Sequence, residues 1–426
     1  MSLNETYEKA KILERNKDWL NAAKTYDSIN LYMPALKKAA WCYSLAKYYD
    51  DSVEKYKQII QREPQNAQAL YSLGYQYYAQ KRWKEAILWF EKALSVNENF
   101  FVVKYRLGYA LLQIAGAVQQ YVKPEFIRAL GIFSECHQLW GSWSEEQREK
   151  EQDTYFDICF QHGKAILNMY SRYSEAEEYL RIASIIKPND VNCKYNLAKV
   201  LCNQQKFLEA KEILPKGKEF YLEELSAYIE YKLNNLKNAI SIYNKILRYR
   251  KRDYLYTDLA EVLIEDGQFK EAYKMCIEAC KLNKSNHKNY YMLGMVYYRL
   301  GLYKSAITNF EQAVKLKQSR FQSSYAECDK LLIQARNNVS KDEYVEDEEL
   351  LKELSTQMNV GTEQIGTIQR YNSDRGFGAI TSNGENVFFH IKQCRFYNPT
   401  IGMRVIFEKS YNDKGPIALN VRIKSH

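Results

Sequence analysis

The residues of this chain best suited to chemistry lie in two short segments near its end. They are Arg375-Gly376-Phe377-Gly378-Ala379-Ile380 and Val387-Phe388-Phe389-His390-Ile391, preceded by Tyr371-Asn372. The chemistry they suggest is stacking rather than bond-making. Two such strands side by side would carry rings at alternate positions on one open face, where unstacked bases can lie. Strand alternation turns Phe389 away from Phe388 and into a core.

Bond-making chemistry finds no comparable constellation. The five histidines, 137, 162, 287, 390 and 426, show no recognisable spacing to a nucleophile, a carboxylate or one another, and there is no Gly-rich phosphate loop. The nine cysteines are scattered without a Cys-x-x-Cys pair and read as buried, reduced thiols. Cys276 and Cys280 share a helical face but have no histidine at ligand spacing. The expectation is a non-enzymatic chain without metal or cofactor. Met1 to Lys11 is polar and no apolar run reaches membrane-spanning length, so a cytosolic, bacterial protein is expected. A net charge of +9 permits a polyanionic partner.

The elements that must position the rings carry a further pattern. Gly366-Thr367-Ile368 opens the region and Lys414-Gly415-Pro416-Ile417-Ala418-Leu419-Asn420-Val421 closes it. In order and spacing, the region from about Gln364 to Lys424 resembles the cold-shock domain, a five-stranded oligonucleotide-binding barrel that holds single-stranded RNA or DNA. The resemblance implies a base-stacking platform of Tyr371, Phe377, Phe388 and His390, with Arg375 facing phosphate and Lys414 adding a further cation. Gln369 and Arg370 stand where the family usually has Lys and Trp, Ala379 where it has a third ring, and Ile391 where it has another aromatic. Four platforms at about 1 to 3 kcal/mol per stacked base, less the cost of ordering the strand, imply affinity nearer micromolar than nanomolar. The guanidinium of Arg370 can also stack on a base and neutralise phosphate.

Upstream the chain repeats itself. Leu73-Gly74, Tyr77, Ala86, Phe90 and Ala93 recur at identical offsets as Leu293-Gly294, Tyr297, Ala306, Phe310 and Ala313. A small residue returns at Ser52, Ala86, Ala176, Ala210, Ala239, Ala272 and Ala306, mostly 33 or 34 apart. The pattern resembles the tetratricopeptide repeat, whose helix pairs stack into a superhelix. Clear units begin near Met33, Ala67, Val191, Asp253 and His287, weaker ones near Asn4, Phe101, Tyr155 and Phe220, and a last helix, Phe321 to Arg336, caps the stack. Extra residues around Ala115 to Lys123 and Gly141 to Glu151 read as long loops. The fold class is therefore mainly α: a solenoid of eight to nine helix pairs over 1–336, an acidic linker over 337–363, and a small β-barrel over 364–426.

The resemblance implies that first helices line a groove for a protein or peptide. Matching positions carry Tyr71, Tyr75, Tyr78, Tyr105, Tyr109, Tyr195, Tyr291 and Tyr298. Tyrosines give contact area at little entropic cost, although the same rings could stack bases or simply pack between units. Arg248, Arg250, Lys251 and Arg252 form a basic cluster that either completes a helix end or makes an auxiliary nucleic-acid contact. From Lys341 to Glu363 eight acids face two lysines, whereas from Gln364 onward nine Lys or Arg face four acids. That tether is either a solvated linker or an occupant of the basic barrel. The expected function is an adaptor joining a protein partner to single-stranded nucleic acid. The alternatives are a scaffold with the barrel as docking module, or a regulator of a neighbouring enzyme such as a defence or toxin component.

Overall fold

The computed structural model describes residues 2–116, 123–169, 172–339, 363–373, 375–396, 399–412 and 415–424. The chain divides into two compact units, Met1–Leu233 and Asn234–His426. In the first, the described helices are α1 (Leu3–Arg15), α2 (Trp19–Asp27), α3 (Met33–Leu45), α4 (Tyr49–Arg62), α5 (Ala67–Ala79), α6 (Trp83–Val96) and α7 (Phe101–Ala115). They continue as α8 (Pro124–Ser142), α9 (Glu145–Ile166), α10 (Tyr173–Ile186), α11 (Val191–Asn203), α12 (Phe207–Ile213) and α13 (Phe220–Lys232). The second holds α14 (Leu236–Tyr249), α15 (Asp253–Glu265), α16 (Phe269–Leu282), α17 (His287–Arg299), α18 (Tyr303–Phe321) and α19 (Ala326–Asn338), followed by five strands.

Helices pack in consecutive pairs, such as α5 with α6 and α17 with α18. The recurring small residues make this possible: Ser52, Ala86, Ala176, Ala210, Ala239, Ala272 and Ala306 are all fully buried. Gly74 and Gly294 let a ring from the second helix lie on the first. A Cβ added at Gly74 would stand 2.7 Å from Phe90 Cδ1, and one at Gly294 would stand 2.6 Å from Phe310 Cδ1. The turns recur as well. Gly301 N–H donates to Tyr298 O at 3.1 Å and Leu302 N–H to Tyr297 O at 2.9 Å, with Gly301 in the left-handed region. This satisfies carbonyls that the helix end leaves open. Lys81 adopts the same conformation with the same pair of bonds, at the steric cost that a Cβ brings there.

Met33, Ala67, Val191, Asp253 and His287 each open a helix, as do Phe101 and Phe220. The unit expected near Tyr155 starts ten residues earlier, at Glu145. Ser144 accepts from Gln147 N–H, and the Gln147 side chain returns to Ser144 N–H, a capping box that nucleates α9 there. The surplus around Gly141 to Glu151 is thus mostly helix rather than loop, whereas 117–122 lies outside the described residues. The last helix begins at Ala326, because α18 runs on to Phe321.

The strands are β1 (Glu363–Asn372), β2 (Phe377–Ser382), β3 (Glu385–His390), β4 (Arg404–Asn412) and β5 (Gly415–Ile423). They close a barrel in the order β1-β2-β3-β5-β4. All neighbours are antiparallel except β3 and β5. Ile368, Ile380, Val387, Phe389, Val405, Phe407, Ala418 and Val421 fill its interior. Closure leaves few free edges, so the outer face is open to other uses. Among the described residues no helix is long and apolar enough to cross a membrane.

Candidate nucleic-acid interface

The outer face of β2 and β3 is built by register. Phe377 lies opposite His390 and Ala379 opposite Phe388, so the three aromatic side chains share one face. Phe377 is 55% exposed and Phe388 53%, a large apolar area for side chains with a core available below them. The ring of His390 meets Phe377 edge-on at 5.0 Å. His390 Nδ1 accepts from Lys392 N–H at 3.0 Å, which leaves the proton of the neutral ring on Nε2. Behind it, Ile391 N–H donates to Gly376 O at 2.8 Å, and Gly376 takes a left-handed turn (φ 68°). Arg375 N–H donates to Asn372 Oδ1 at 2.9 Å, and Arg375 is exposed.

Phe389 is buried in the barrel. It lies over Gly378, where a Cβ would stand 2.2 Å from Phe389 Cε1. Tyr371, expected among the stacking rings, falls on the inner face. It pairs with Gly378, packs against the core and stacks on Phe389 at 6.0 Å. The reason is an irregularity in β1: Ile368 lies opposite Ile380 but Arg370 opposite Ala379, so Gln369 is surplus. Simple alternation from the buried Ile368 would turn Tyr371 outward; one surplus residue reverses it. Arg370 goes outward instead, completing a row of Arg370, Ala379 and Phe388.

Lys392, Arg395, Arg404 and Arg422 are exposed on the barrel, whereas Lys409 is bound to Glu385. Lys414 lies outside the described residues, as does 340–362 of the acidic tether. In the second unit, Arg248 lies in the last turn of α14, Arg250 follows the helix half-buried, and Lys251 and Arg252 are exposed after it.

The tyrosines of the first helices fall into separate groups. Tyr71, Tyr75 and Tyr78 of α5 meet Tyr105 and Tyr109 of α7, with Tyr78 and Tyr109 5.8 Å apart. Tyr105 is only 5% exposed and belongs to the core, so it offers a partner little surface. Tyr71 is half-buried between Phe90 and Phe100. The sequence reading did not single out Arg106, although it is adjacent to Tyr105. Its guanidinium lies 5.5, 5.0 and 5.2 Å from the rings of Tyr75, Tyr78 and Tyr105 and donates to Tyr78 Oη at 3.2 Å. Tyr195 meets Tyr221 edge-on at 4.9 Å. In the second unit Tyr298 packs on Tyr303 and Tyr291 on Tyr325.

Two histidines with no recognisable sequence spacing also meet. His137 Nε2 lies 3.1 Å from His162 Nδ1, and His137 Nδ1 lies 3.2 Å from Tyr155 Oη. Both rings stack on Tyr179, at 4.2 and 4.4 Å. Burial pushes His137 down to about 4 and His162 down to about 3, so both are neutral near pH 7. Among the described residues no group of three or more His, Cys, Asp or Glu could hold a metal ion. The nine thiols are free and seven are buried; burial pushes Cys136 and Cys202 up to about 12, which keeps them protonated.

Paired helices with recurring Gly-on-Phe contacts, followed by a closed five-stranded barrel with rings outside, define a helical-repeat chain with a terminal oligonucleotide-binding-type barrel. Comparison with known proteins agrees. Residues 47–99 match the family model described as tetratricopeptide repeat, and residues 232–313 match that of anaphase-promoting complex, cyclosome, subunit 3. Cold shock protein 1 of Lactiplantibacillus plantarum is 37% identical over 60 residues, which span 13% of this chain and 91% of that protein. DnaJ homolog subfamily C member 3 of Gallus gallus is 28% identical over 189 residues, 43% of this chain and 34% of that protein. The chain thus spans about a third of that relative's length. The crystal structure of yeast Tom70 aligns with a TM-score of 0.36 at 13% identity, covering 84% of this chain and 98% of that one. The chain is a tetratricopeptide-repeat protein whose C-terminal barrel belongs to the cold shock protein family.

Proposed function

We propose that this protein is a non-enzymatic adaptor that binds single-stranded nucleic acid on its barrel and a protein partner along its first helices. The observation that carries the reading is the pair of half-exposed phenylalanines, Phe377 and Phe388, on the outer face of a barrel whose interior is already filled. His390 and Arg370 extend that face, the one with a ring, the other with a guanidinium plane that also meets phosphate. Titration of a fluorescent single-stranded oligonucleotide tests it. Binding near the micromolar range is expected, and Phe377→Ala with Phe388→Ala should weaken it by about 1 to 3 kcal/mol per ring. Equal, salt-insensitive signals for both proteins would end the reading.

A second reading, the barrel as a protein-docking module, draws on Ala379, Ile391 and the missing Trp at Arg370, which leave the platform three rings short of the family pattern. Failure to bind oligonucleotide at low salt, with a stable protein complex, would favour it. The same low-salt titration separates the two.

A further inference from the structure

In the second unit, α15, α17 and the start of α19 enclose a cavity of about 310 Å³. Two of its walls differ in chemistry. Asp258, Glu261 and Glu265 follow one another at i, i+3 and i+7, which places them on one face of α15. Tyr291, Met292 and Met295 line the cavity from α17, and Tyr325 and Glu327 close it from the start of α19. The carboxylates outnumber the single lysine of the lining, Lys288.

Of the aromatic wall, Tyr325 is buried and carries Lys317 over its ring at 4.1 Å, so the half-buried Tyr291 is the ring that faces the cavity's opening. Tyr291 and Tyr325 are 5.2 Å apart, and their hydroxyls are held above the usual tyrosine range, first by burial and then by nearby negative groups that include Glu327. Ring faces attract cations, carboxylates attract them more strongly, and methionines adapt to whatever aliphatic stem comes with the charge. Phosphate is repelled by the same carboxylates.

We infer that this groove receives a basic amphipathic segment of a partner protein, its Lys or Arg heads against Glu265 and Glu327 and its apolar side chains against Met295 and Tyr291. Charge complementarity identifies the occupant, and the inference rests on the protein-binding reading of the first helices given above.

The test uses the full chain and three fluorescein-labelled amphipathic peptides, of Leu with Lys, Leu with Gln and Leu with Glu. The Leu/Lys peptide should bind, and Glu265→Gln with Glu327→Gln should weaken it roughly tenfold while leaving the circular dichroism spectrum unchanged. Tyr291→Ala should weaken it as well. Unchanged binding in the carboxylate variant, or equal binding of the Leu/Gln peptide, would overturn the basic occupant. If those peptides bind alike and Tyr291→Ala weakens both, the peptide groove stands without the charge preference. If no peptide binds, both fail.

Discussion

The two tyrosine-lined regions of the repeats have the same skeleton and differ in how far the chain itself occupies the ring faces. In the first unit, Tyr75, Tyr78 and Tyr105 close around Arg106, so the ring faces already hold a cation. In the second, Lys317 stands over the Tyr325 ring at 4.1 Å, whereas Tyr291 faces carboxylates and a cavity. The difference teaches that tyrosines at matching repeat positions do not by themselves define a binding site. What matters is whether the chain supplies their electrostatic partner.

Acid should separate the two units most. His137 and His162 have folded values below the usual 6.5, so above about pH 6.5 neither folded nor unfolded chain carries their protons and this part of the stability is complete. As pH falls, the unfolded chain takes up the protons first and stability drains away, levelling only near the folded values. The full loss is on the order of 3 kcal/mol per histidine at this depth of burial, about one unit in pKa being worth 1.4 kcal/mol. Hydrogen exchange should therefore show α8 to α10 losing protection between about pH 6.5 and 5, before most carboxylates titrate. His137→Gln with His162→Gln should flatten that response. Equal loss across α15 to α18, where the more exposed His287 lies, would break the contrast.

Gly74→Ala and Gly294→Ala should each destabilise by about 1 to 3 kcal/mol, since the new Cβ meets Phe90 or Phe310. The shared skeleton predicts similar costs in both units, measured by denaturant unfolding. Arg106→Gln should cost about 1 kcal/mol by removing the cation from its rings. Tyr291→Phe should change stability by less than about 0.5 kcal/mol, because the ring, which packs on Phe310 and Tyr325, is kept. A larger loss there would make Tyr291 structural, like Tyr105.

The repeats were legible because packing imposes their spacing: Gly74 under Phe90 and Gly294 under Phe310 require the same residue types at the same offsets. The outward Phe377, Phe388 and His390 and the inward Phe389 follow from strand period alone. Tyr371 was misjudged because a surplus residue in β1 leaves no local mark in composition. Contacts across units were hidden for another reason. His137 and His162 meet only because α8 and α9 are longer than the repeat pattern, so no consensus spacing relates them. The charge of Arg106 was visible in the sequence, but its capture by rings from the neighbouring unit was not.

Gln369 also works as a phase-setter for the barrel's exterior. Pairing it regularly, with the bulge closed and no residue lost, would exchange its two successors, turning a tyrosine toward solvent and a guanidinium toward the oily interior. A variant whose bulge closed without loss of a residue would present one more ring and one fewer cation outside, and any strand binding there would depend less on ionic strength.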